Sequence, residues 1–139
     1  MAKDLYHDIV REAIEKEGWV ITDDPYQIQA WDSAKYEIDL GAEKIIAAEK
    51  ESEKIAVEIK SFLAPSVPHE FHKVLGQYLN YLTFLEITAP ERKLYLAIPE
   101  QIYNDFFTKI STQFIINRFH VNIIVFDITQ KSIILWLPN

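Results

Sequence analysis

The stretch Lys54–Phe62, KIAVEIKSF, decides how this chain is read. It alternates like a strand, with Ile55, Val57 and Ile59 leaving one side and Ala56, Glu58 and Lys60 the other. Glu58 and Lys60 interrupt an apolar run. Charges on a buried strand are costly unless they are paired or hold a metal. An acid-x-lysine pair on a strand is more often a solvated face, so the surrounding segments must decide.

Working outward, a polar turn at Glu51-Ser52-Glu53 precedes the strand, and Ile45–Lys50 before it is extended. Tyr36–Leu40 also reads as extended, with Gly41 between the two, so these segments suggest an antiparallel hairpin or meander. Upstream, DLYHDIVREAIEKEG carries Leu5, Ile9, Ala13 and Ile14 on one helical stripe, flanked by Tyr6 and Val10, and Gly18 is its stop. WVITDD is a short strand ended by Asp24-Pro25.

Downstream, after the Pro65–Pro68 loop, Phe71, Val74, Leu75, Tyr78, Leu82 and Leu85 predict a long helix from about His69 to Glu86. Arg92–Ile98 is a strand, and Pro99 opens a helix or helix pair reaching about Phe119. Val121–Phe126 and Ser132–Leu137 are apolar strands joined by ITQK. The expectation is one α/β domain over residues 1–139, a mixed central sheet flanked by helices in the order αβββαβαββ.

Composition narrows the function. The chain has 139 residues and no cysteine, which excludes disulfides, thiolate catalysis and cysteine-ligated metals. The N-terminus is charged from its third residue and holds no signal-peptide core, and no apolar run is long enough to cross a bilayer, so a cytoplasmic protein is expected. A formal net charge of −7 opposes broad electrostatic capture of nucleic acid. Carboxylates gathered around a cation would account for part of that balance.

Such a gathering can be read near the hairpin. Asp39 closes the extended YEIDLG segment, and Glu58 and Lys60 share one face of the next strand. If the segments pair, Asp39, Glu58 and the Ile59 carbonyl make an oxygen-rich site suited to Mg²⁺. Lys60 beside it could orient water or neutralise a phosphate in the transition state. Glu43 and Glu49 stand as alternatives to Asp39, because nineteen positions separate Asp39 from Glu58.

The run IDLGAEKIIAAEKESEKIAVEIKSF followed by GQYLNY resembles the PD-(D/E)XK nuclease superfamily: an acid, then Glu-x-Lys, then a helix with a glutamine. More narrowly, DLYHDIVREAIEKEGWVITDDP, DLGAEKIIAAEK, KIAVEIKSF and LGQYLNY together resemble the XisH type of fdxN-element excision controlling factor, found mostly in cyanobacteria. This resemblance implies a restriction-endonuclease-like fold and a part in controlling site-specific excision of a DNA element during heterocyst differentiation. It implies a site-specific recombinase and a second small control protein as partners, with DNA as the substrate. It also implies an Mg- or Mn-dependent endonuclease site of Asp39, Glu58, Lys60 and Gln77. A homodimer would be common in such a superfamily.

Other residues carry weaker signals. Gln77 and Tyr81 share a helical face with Lys73 and Glu70, a polar stripe. His7 reads as a surface or core-edge histidine. His69 and His72 lack a third ligand for zinc. Trp19, Trp31 and Trp136 could stack on bases, but core packing is the better expectation, with Trp31 the most exposed.

Overall fold

The computed structural model describes residues 6–28 and 45–138. Its elements run α1 (His7–Lys16), β1 (Val20–Asp23), β2 (Ile45–Lys50), β3 (Glu53–Ile59), α2 (Val67–Thr88), β4 (Arg92–Pro99), α3 (Glu100–Ile102), a π-helical turn (Tyr103–Phe107), α4 (Ile110–Phe119), β5 (Ile123–Asp127) and β6 (Ser132–Leu137). The six strands form one sheet in the order β1-β2-β3-β4-β5-β6. β1, β2 and β3 pair antiparallel, β3, β4 and β5 parallel, and β5 with β6 antiparallel. The expected Tyr36–Leu40 strand lies outside the described residues.

The parity read from KIAVEIKSF divides the core in two. Ile55, Val57 and Ile59 pack with Val10, Ile14 and Trp19 on the α1 side. Ala56 packs with Phe71, Val74, Tyr78 and Leu85 of α2 and with Ile116 of α4 on the other. A sheet buried on both faces favours apolar side chains in both parities, which is why β4 and β5 read as continuous apolar runs.

α2 begins where Ser66 accepts a hydrogen bond from the His69 amide at 3.3 Å, with a proline in its first turn. α1 ends two residues before Gly18, whose φ of +93° carries the chain into β1. The buried face of α1 is His7, Val10, Ala13 and Ile14, so the helix is rotated from the expected stripe and Ile9 is only half buried. Trp19 is buried and stacks on Trp136 at 5.8 Å, and Trp136 donates to Glu17, so both serve packing. Trp31 lies outside the described residues.

Candidate functional site

The parallel pairing at the centre of the sheet places Glu58 where a charge is least expected. Its Cα partners are Ile45 on β2 and Leu96 on β4, both buried apolar residues. The carboxylate is only 1% exposed, and neither oxygen has a hydrogen-bond partner among the described residues. Burial pushes its pKa up from 4.5 to about 7, against the pull of the Lys60 ammonium. Lys60 Nζ lies 3.9 Å from Glu58 Oε2 and is itself 13% exposed. Its backbone N–H continues the ladder to β4, donating to Ala97 O at 3.0 Å. Ile59, between them, turns its side chain to the α1 side.

Two residues past Lys60, Phe62 adopts φ +57°, a left-handed backbone that costs a non-glycine residue about 1–3 kcal/mol. Its ring is buried and meets Phe107 edge-on at 5.6 Å. That packing fixes the chain as it leaves β3. Beside it a shallow cavity of about 140 Å³ opens between Ser61, Leu63, Pro99 and Asp105.

α2 brings Gln77 to the same side of the sheet. The residue is half buried, and its Oε1 is a buried acceptor without a partner among the described residues. The adjacent Tyr78 is fully buried. Burial pushes its phenol up to about 12; a bond from the Asn122 amide opposes the rise and the charge of Glu58 adds to it. Tyr81 is buried, Glu70 and Gln77 are half buried and Lys73 is exposed, so the stripe expected with Gln77 is partly exposed. His69 and His72 are exposed on α2.

Asp39 and Glu43 lie outside the described residues, which resume at Ile45, the Cα partner of Glu58. Glu49 is described, and it does not join Glu58. It pairs with Lys54, four positions back along β3, about 13 Å at ordinary strand rise. There it faces Arg92 at 3.7 Å. Among the described residues no cluster of three or more His, Cys, Asp or Glu could hold a metal. The donors that are described still suit one. The partnerless oxygens of Glu58 and Gln77 are hard donors of the kind Mg²⁺ and Mn²⁺ prefer.

A second polar cluster escaped the sequence reading. His7 is 1% exposed, and its Nε2 lies 2.9 Å from Oδ1 of Asp24. Arg11 donates to the same carboxylate at 2.6 Å. Alone, burial would raise the Asp24 pKa, but the hydrogen bonds and charges of His7 and Arg11 hold it below the ordinary value. The signal was present in the spacing, since His7, Val10 and Ile14 share one helical stripe.

Comparison with known proteins places the chain among relatives of one kind. A family model described as XisH protein matches residues 1–134. The crystal structure of an XisH family protein from Nostoc punctiforme PCC 73102 aligns with a TM-score of 0.87 at 42% identity, covering 96% of this chain and 98% of that one. The crystal structure of an fdxN element excision controlling factor protein from Anabaena variabilis aligns with a TM-score of 0.87 at 40% identity, covering 97% and 99%. No curated protein matches. Among the described residues no helix is long and apolar enough to cross a membrane.

Proposed function

The chain belongs to the XisH family, and from that premise we propose that it controls site-specific excision of a DNA element through a restriction-endonuclease-like fold bearing a metal-dependent phosphodiester-hydrolysing site. The observation that carries this reading is Glu58: a buried carboxylate, partnerless on both oxygens among the described residues, beside Lys60 on a central strand. A protein gains no stability from leaving such a group bare, so it is better explained by a ligand than by folding.

In this reading Asp39, Glu58 and the Ile59 carbonyl hold Mg²⁺ or Mn²⁺. The cation supplies Lewis acidity at the scissile phosphate and a more acidic water. Lys60 holds its ammonium beside Glu58, where it can orient an attacking water and offset charge growing on the phosphate. The burial of Glu58 keeps competing water away and strengthens every electrostatic interaction at the strand end. Gln77 offers its unpartnered Oε1 to the cleft. DNA is the substrate, and a recombinase and a second small control protein are the partners, with a homodimer reaching both strands.

A second reading has one specific observation in its favour. With a net charge of −7, the chain is poorly equipped to hold DNA by itself. An accessory factor that retains the site without cleaving, and acts by binding its protein partners and DNA, would fit that balance.

Supercoiled plasmid incubated with protein and Mg²⁺ or Mn²⁺ separates the two. Nicking that disappears in Asp39→Ala, Glu58→Ala and Lys60→Ala, each folded by its melting curve, supports the enzyme. Nicking that survives all three overturns the residue assignment. Absence of nicking, with capture of a recombinase or control protein, favours the accessory role.

A further inference from the structure

Beyond β4 from Glu58, a cavity of about 390 Å³ opens between α4, the π-helical turn and the free end of β6. Its volume is that of a small-ligand site rather than a packing defect. Ile116, Val121, Ile123 and Leu137 give it apolar walls, and among the described residues no Lys, Arg, Asp or Glu lines it.

Its polar lining is oriented by the fold. Gln113 donates its Nε2 to Phe107 O at 2.5 Å, which turns Oε1 to the free end of the amide. Asn122 is fixed in the same sense, its Nδ2 donating to Leu94 O at 3.0 Å and leaving Oδ1 free. Two amides thus present acceptors. The Asn117 amide, the Tyr103 hydroxyl and the His120 ring line the same cavity and make no side-chain hydrogen bond among the described residues.

Two backbone irregularities border the cavity. Tyr103 begins the π-helical turn, a form concentrated at functional sites. His120 ends α4 at φ +54°, where glycine would be unstrained.

We infer that this cavity binds a neutral, planar heterocycle carrying amino groups, the class that includes nucleobases and nucleosides. Apolar walls accept the ring faces. The two oriented carbonyls accept from exocyclic N–H groups, and Asn117 and Tyr103 can serve either role on the ring edge. Among the described residues no Lys or Arg lines the cavity to pair with a phosphate, so affinity is expected to reside in the base. The site stands independently of whether Glu58 and Lys60 cleave DNA.

The test is titration of the full chain with adenosine, followed by calorimetry and by ligand-observed NMR. The expected result is saturable binding at millimolar concentration or better, with AMP no tighter than adenosine. Purine riboside, which lacks the amino group, should bind at least tenfold more weakly, because the two carbonyls would face no donor. Asn117→Leu, at an exposed position that leaves the fold intact, should weaken adenosine by a similar factor; Gln113→Leu should do so too. No saturable binding of adenosine, guanosine or cytidine overturns the inference. So does purine riboside matching adenosine, or both variants binding like the parent.

Discussion

Lys60 Nζ stands 3.9 Å from Glu58 Oε2, yet Glu58 keeps a pKa near 7. A contact at that distance falls short of a hydrogen bond, so the lysine offsets only part of the cost of burying the carboxylate. The pair is therefore a charged group poorly satisfied by its own protein. The expectations below follow from that, and from the better satisfied clusters around it.

The first concerns stability without metal. A carboxyl raised from 4.5 to about 7 is protonated in the folded chain where the unfolded chain has already released its proton. Its contribution is most favourable below the unfolded value and is lost as pH rises through the folded one. Glu58→Gln, which cannot ionise, should therefore be more stable than the parent above pH 7 in chelator, by about 1–3 kcal/mol. The gap should close near pH 4. Urea midpoints at both pH values measure it, and a variant less stable at high pH would contradict the argument.

The second concerns the cation. A metal that binds the ionised Glu58 stabilises only the folded chain, by about 2.7 kcal/mol at one hundred times its dissociation constant. Mn²⁺ should raise the melting temperature of the parent at pH 8 and leave Glu58→Gln unmoved. Equal shifts in both would place the cation elsewhere.

Much of this architecture was legible beforehand, because strand parity and helical spacing are local. Ser132–Leu137 and the alternation through Glu58 needed only the period of the chain. α1 is a subtler case. The apolar residues defined a stripe, but the packed face is turned toward His7 and Val10, since the Asp24 carboxylate gives the imidazole a partner that hydrophobicity does not register. The helical stretch from Glu100 to Phe119 is broken by a π turn that no residue type announces. The company Glu58 keeps was also hidden. Glu49 seemed a candidate from sequence distance, but the antiparallel register carries it toward Arg92.

The third expectation tests how β4 and β5 are joined beneath α2. The Tyr78 hydroxyl donates to Leu94 O and accepts from the Asn122 amide, each at 3.0 Å, in a fully buried setting. Phenylalanine would keep the ring packing and leave both backbone groups without the phenol. Tyr78→Phe should cost about 1–3 kcal/mol in urea unfolding, with an unchanged m-value. A loss below about 0.5 kcal/mol would mean that the backbone groups find other partners.

The fourth follows from Asp24, which binds His7 and Arg11 together. Burial raises its carboxyl, and the hydrogen bonds and charges of His7 and Arg11 outweigh that rise and hold it below 3.8. A depressed carboxyl contributes stability above its unfolded pKa and loses it as pH falls through the folded value. Asp24→Asn should therefore destabilise the chain at pH 7, by about 1–3 kcal/mol, because His7 Nδ1 already lacks a partner and Nε2 would lose its ionised one. As pH falls through the depressed folded value, the parent carboxyl is itself protonated, and the difference between parent and variant should shrink. Arg11→Ala should cost less, since that side chain is 40% exposed and water can replace it. Chemical denaturation of the three proteins at pH 7 and in acid distinguishes the outcomes. A deficit in Asp24→Asn that is as large in acid as at pH 7 would show that Asp24 acts through shape at the end of β1, and not through its charge.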